Sequence, residues 1–241
     1  LGTLAKNARI VGGEITNTNS YPFLASFTYS QSNQVFCIGG IITNKHILTA
    51  AHCLFNEPRT FRRIKIKTGI NSTNSNGRVL HEIAKVVFHP KYDILKYRER
   101  IKPYDLAVVK VKVAIVLNEF QNMIELPNTN IYDAAGYIVG WSSRTQITDL
   151  SSEQSLRKVN VIIYSKENCA NAYQIKLYIG QFCIRKEANE GPSVGDSGGP
   201  LVMNGKIVGV ASIILPYRDN LPIVYTSIYQ YLGFIYEALA A

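Results

Sequence analysis

The chain has 241 residues, of which 46% are hydrophobic and only 18% charged. That supplies ample apolar surface for a packed core and excludes a disordered segment. The formal net charge is +9, and no run of about 18 uncharged apolar residues is present that could span a bilayer as a helix.

The opening stretch "LGTLAKNAR", Leu1 to Arg9, is too short and polar for a signal peptide, so the expected reading is a chain from which any leader has been removed. Short β-rich runs then alternate with turn clusters: "FLASFTYS", "GIITNKHILTA", "RIKIKTGI", "IAKVVFH", "LAVVKVK", "YIVGW", "RKVNVIIY", "PLVMNGKIVGVASIIL" and "IVYTSIYQY". Their spacing and Gly/Asn/Pro punctuation point to an all-β sandwich or barrel. Asn204-Gly205, flanked by apolar residues, is the clearest hairpin signal. Helical patterning is confined to Tyr164–Tyr173, where Ser165 can cap, and to the C-terminal "IYQYLGFIYEALAA". A composition change over Asn118–Asn130 divides the runs into two sets of about six, a count that fits two six-stranded barrels.

The basic residues cluster: Arg59–Lys67 and Lys91–Lys102 hold ten of the 26. Such runs suit polyanions, nucleic acid or anionic membranes, but no nucleic-acid motif accompanies them, and a solvated basic surface is the simpler reading. The four cysteines form no CxxC pair, which argues against structural zinc. Three disulfide connectivities are possible; the simplest is two short loops, Cys37–Cys53 and Cys169–Cys183, suited to an oxidising, secreted setting. Asn71-Ser72-Thr73 is a glycosylation sequon, which chance also produces. No cluster of metal-ligating residues is evident, and no cofactor is expected.

Three local patterns carry chemistry. "LTAAHC" places His52 beside Cys53, where a disulfide would fix the backbone that carries an imidazole. "YDLAVVKV" places Asp105 at the head of an apolar strand, an unusual site for a carboxylate. "GDSGGP" places Ser197 in a glycine-rich turn that frees its own N–H and that of Gly195 to point at one spot.

In this order, and with "RIVGG", "FCIGGIITNKHILTAAHC", "IVGW", "GDSGGPLV" and "VYTSIYQYLGFI", the chain resembles the chymotrypsin-like serine proteases, with a flavour of arthropod members, from Ile10 to the C-terminus. The resemblance implies an all-β fold of two antiparallel six-stranded β-barrels with a C-terminal α-helix. Residues 1–9 would be an activation remnant, 10–122 the barrel carrying His52 and Asp105, and 123–241 the barrel carrying Ser197. Ser197 would be nucleophile, His52 general base and then acid, Asp105 the group orienting the imidazole, and the N–H groups of Gly195 and Ser197 the oxyanion hole. Arg9-Ile10 looks like the activation bond. An activating trypsin-like protease would free the Ile10 amine, which then pairs with Asp196. A secreted monomer acting on protein or peptide substrates is expected.

The departures concern substrate selection. Counting back from Ser197, Gly191 stands where tryptic members carry an aspartate, which disfavours Lys or Arg substrates. Ile214 and Ile223 replace wall glycines, Ile213 follows Ser212 in place of tryptophan, and Pro192 stiffens the pocket base. Branched walls would narrow a closed site. Ser193 records a missing third disulfide, Ser142 replaces a glycine, and Ile38 is expected to crowd the leaving-group side. Two outcomes follow: a shallow pocket for small apolar groups, or a blocked one in a paralogue that binds a target without cleaving it, a decoy in a host-defence or venom setting.

Overall fold

In the computed structural model, the residues described are 13–31, 35–55, 61–72, 79–93, 101–130, 133–142, 155–185, 195–213 and 222–241. Among these described residues there are fourteen strands: β1 Glu14–Ile15, β2 Leu24–Tyr29, β3 Val35–Thr43, β4 His46–Thr49, β5 Ile64–Thr68, β6 Val79–His81, β7 Ile83–Phe88, β8 Ala107–Val111, β9 Ala134–Ser142, β10 Ser155–Tyr164, β11 Gln181–Arg185, β12 Pro200–Met203, β13 Lys206–Ile213 and β14 Ile223–Ser227. Two helices join them, α1 Lys166–Tyr173 and α2 Leu232–Ala240.

The strands form two antiparallel sheets. One runs β6-β5-β2-β3-β4-β8-β7; the other runs β1-β10-β11-β14-β13-β12-β9, and a β9–β10 ladder closes six of its strands into a ring. The first sheet curls around Phe27, Ile41, Ile47, Leu48 and Ile66, all fully buried. The ring encloses Ile163, Phe182, Ile184, Leu201 and Tyr225, with Phe182 and Tyr225 stacked at 5.9 Å. The expected two-barrel architecture is present, the second sheet as a closed six-stranded barrel and the first as a half-barrel, with two further strands. β1 adds to the outside of the ring through Glu14↔Lys158, and β6 extends the first sheet through Thr68↔Val79. Strands of two and three residues are too short for alternation to reveal.

The local signals land where the residues place them. Asn204 and Gly205 both have positive φ, 49° and 73°, as a two-residue turn matched to strand twist requires, and Met203 pairs with Lys206 across it. Ser165 caps α1 by accepting the Asn168 N–H at 3.1 Å. Both expected disulfides form, Cys37–Cys53 and Cys169–Cys183. Helix α2 sinks Ile235 and Ala238 into the core cluster that also holds Val109 and Val111 of β8, so the C-terminus packs against the first sheet. Asn71 of the sequon is engaged locally: its Oδ1 accepts both the N–H and the hydroxyl of Thr18, each at 2.6 Å.

The first basic run is less of a patch than its sequence suggests. Arg59 lies outside the described residues; of the others Lys67 is buried, Lys65 shares Glu82 with Lys112, and Arg62 and Arg63 are exposed. The two ammonium groups hold the Glu82 carboxyl down at about 2.

Candidate active site

The site lies where the two sheets meet. His52 is in a short turn, Ala51–Cys53, that follows β4 and is tied back to β3 by the Cys37–Cys53 disulfide. Asp105 immediately precedes Leu106 and β8, and it has no exposed surface. One carboxylate oxygen accepts the His52 backbone N–H at 2.8 Å; the other accepts His52 Nδ1–H at 2.7 Å. That bond assigns the ring proton to Nδ1 and leaves Nε2 as the basic nitrogen.

The second sheet completes the support. Ser212 Oγ donates to Asp105 Oδ2 at 2.6 Å, and Thr226 Oγ1 donates to the Asp105 carbonyl at 3.1 Å. Ser212 reaches the carboxylate because β13 is irregular between Ala211 and Ile213, which takes it out of the ladder. Complete burial opposes a charge on Asp105, yet the charge and hydrogen bonds of His52, with the Ser212 hydroxyl, hold its carboxyl below the ordinary value.

Ser197 sits in a turn shaped by two glycines, Gly195 at φ 103° and Gly198 at φ 76°. A Cβ on Gly198 would collide with Thr49 Oγ1 and the Ile38 carbonyl, so the turn can press against the first sheet only with glycine there. Three bonds fix it: Ile38 N–H to Ser197 O at 2.8 Å, Gly198 N–H to Ala211 O at 2.8 Å, and Gly199 N–H to Asp196 O at 3.0 Å. Among the described residues no acceptor takes the N–H of Gly195 or of Ser197. Nor does a hydrogen bond join Ser197 Oγ to His52 Nε2 among them; the Nε2 lies 3.8 Å from Cys53 Sγ. Such bonds are often long without substrate and tighten on binding.

Cys37, His52 and Cys53 also group closely enough to suggest metal ligands, but both sulfurs are committed to the disulfide. Asp196 is buried, and its charge, after burial itself, pushes the Tyr225 hydroxyl upward.

The remaining sequence expectations divide. Arg9, Ile10, Gly191, Pro192, Ser193 and Ile214 lie outside the described residues, as does the Ser142 side chain. Ser212, expected in the pocket, has its hydroxyl turned to Asp105. Ile213 is half-buried against Cys169, Leu177, Cys183 and Val224, while Ile223 packs inside the ring with Tyr225 and Ile184. Ile38 does not crowd the leaving-group side: it has no exposed surface, because β3 turns it inward to the core behind the Ser197 turn. Thr226 and Tyr104 were not legible beforehand. Tyr104 adopts φ 59°, and no short-range pattern marks an aromatic residue for a left-handed turn.

Comparisons with known proteins agree with this geometry. The family profile described as Trypsin matches residues 10–235. The trypsin of Simulium vittatum is 32% identical over 215 residues, covering 86% of this chain and 83% of that one. Among solved structures, neuropsin, a serine protease expressed in the limbic system of mouse brain, superposes with a TM-score of 0.81 at 25% identity, covering 95% of this chain and all of that one. The scabies mite inactivated protease paralogue S-D1 gives the same TM-score and identity, covering 96% of this chain and 98% of that one.

Proposed function

We propose that this chain, which belongs to the trypsin family and is a serine endopeptidase, cleaves peptide bonds through an acyl-enzyme on Ser197. Ser197 Oγ attacks the scissile carbonyl carbon while His52 Nε2 takes the hydroxyl proton. The carbonyl oxygen, now negative, is received by the N–H groups of Gly195 and Ser197, which have no other acceptor among the described residues. His52 then gives its proton to the leaving amine nitrogen as the C–N bond breaks. Water repeats the sequence in reverse roles, releasing the acid and restoring Ser197. Asp105 keeps the ring oriented and offsets the positive charge of imidazolium. The observation that carries this reading is the buried carboxylate bonded at once to His52 and, from the other sheet, to Ser212.

The finer reading covers regulation and selectivity. Cleavage at Arg9-Ile10 would free an ammonium to pair with buried Asp196, and Gly191 removes the charge that attracts Lys or Arg. With Ile214 in the wall and Ile223 filling the barrel core, the primary pocket would accept small apolar side chains. The two disulfides suit secretion, and exposed Arg62 and Arg63 would be the contact for any polyanion.

A second reading, a binding protein with a blocked pocket, is favoured by Ile223, whose side chain packs among barrel core residues, and by the likeness to an inactivated paralogue. One experiment separates them. The chain is cleaved at Arg9-Ile10, treated with a fluorophosphonate, and offered a peptide library. Labelling of Ser197 with cleavage after small apolar residues is expected. No labelling overturns the enzymatic reading, and labelling without turnover supports the blocked pocket.

A further inference from the structure

Asp105 is delivered by a residue in an unfavourable conformation. Tyr104 lies in the left-handed region at φ 59°, where a bulky side chain is an outlier that persists only when its surroundings over-determine it. Those surroundings are an aromatic cage. The His89 ring stacks on Tyr104 with centroids 4.8 Å apart and 20° between planes. Tyr231 meets both edge-on, 5.0 Å from His89 and 5.8 Å from Tyr104, and Phe234 lies 4.9 Å from His89. Lys91 Nζ stands 5.8 Å over the Tyr104 ring.

Each member of the cage is fixed in turn. The His89 N–H donates to Leu106 O at 3.0 Å, and His89 Nδ1 accepts the Lys91 N–H at 3.1 Å, which makes it a neutral ring protonated at Nε2. Burial, and then the Lys91 ammonium, push this imidazole below its ordinary value, in keeping with a neutral stack. The Tyr231 hydroxyl donates to Ile179 O at 2.9 Å, and its ring covers Gly180, where any Cβ would strike it. On either side of Tyr104 the segment is pinned by Gln181 Nε2 donating to Lys102 O at 2.9 Å and by Thr226 on the Asp105 carbonyl. Those bonds hold the ends, the Leu106 N–H donates to Tyr104 O at 2.8 Å across the turn, and the ring stack packs the side chain between them.

We propose that Tyr104, clamped by His89 and Tyr231, is a positioning residue that aims the Asp105 carboxylate at His52 Nδ1. The clamp draws on the segment after β7, the segment before β8 and the turn before α2, so the C-terminal helix takes part in aligning the imidazole. This rests on the triad reading above.

The test compares Tyr104→Ala, Tyr104→Phe, Tyr104→Asn and His89→Ala in the chain cleaved at Arg9-Ile10. It reads kcat per fluorophosphonate-titrated site, KM, and the proton resonance of the His52 Nδ1–H that bonds Asp105, by NMR. Tyr104→Ala and His89→Ala are expected to lower kcat per titrated site by about tenfold to a hundredfold, the scale of a misplaced catalytic group, with KM little changed. They also move the His52 Nδ1–H resonance upfield, since a displaced carboxylate lengthens the hydrogen bond it accepts. Tyr104→Phe, which keeps the ring face, recovers most of the loss; Tyr104→Asn, whose short side chain tolerates the left-handed turn unaided, recovers part. A purely structural role would lower the titratable fraction alone. Unchanged kcat per site and an unchanged His52 Nδ1–H resonance in Tyr104→Ala overturn the proposal. The NMR signal needs no turnover, so failure of wild-type Ser197 to label counts against the triad while the resonance still decides on Tyr104.

Discussion

Burying a carboxylate without partners costs several kcal/mol, and Asp105 avoids that cost with two bonds from His52 and one from Ser212. Each partner should therefore register on removal. Asp105→Asn keeps the shape but no longer fixes the Nδ1–H tautomer, and kcat is expected to fall about ten-thousandfold, as in the best-studied triad of this kind. Ser212→Ala strips one charge-assisted bond and is expected to lower stability by about 1.5–3 kcal/mol in urea unfolding, with a smaller loss of kcat. His52, Asp105 and Ser197 were legible in the sequence because each announces itself through immediate neighbours. The hydroxyl partners were not: Ser212 and Thr226 stand 107 and 121 residues from Asp105, and no local pattern encodes such a meeting.

At the scale of elements, two glycines with similar φ have different jobs. Gly205 closes the β12–β13 hairpin at φ 73° with nothing within 4 Å of a hypothetical Cβ, whereas Gly198 at φ 76° abuts the first sheet. Gly205→Ala is therefore expected to cost only the conformational penalty, about 1–2 kcal/mol in chemical denaturation. Gly198→Ala adds a backbone collision and is expected to abolish fluorophosphonate labelling as the Ser197 turn is displaced. The hairpin was readable because its turn chemistry is local. β11, Gln181–Arg185, carries no such signal, because its burial pattern is almost continuous, with no alternation to mark it.

At the scale of the whole molecule, pH acts through buried rings. His46, His81 and His89 are all held below their ordinary value, chiefly by burial. The unfolded chain takes up protons near pH 6.5 while the folded rings resist, so the stability they confer is present above that pH and is lost as pH falls below it. Urea midpoints should decline from about pH 6.5 downward, and His46→Gln should reduce the slope. Tyr225 behaves oppositely: its hydroxyl is pushed up by burial and Asp196. Its contribution is full below about pH 10 and lost above it, and Tyr225→Phe should flatten that alkaline decline.

The span between Asp105 and its hydroxyl partners also bears on biosynthesis. A nascent chain that has reached Asp105 still lacks 107 residues before Ser212 exists and 121 before Thr226 does. A polypeptide that ends there can offer the carboxylate only the bonds of His52 and neither hydroxyl of the second sheet. The cell making this hydrolase therefore adds the proposed nucleophile, Ser197, only after the base and the orienting acid that serve it.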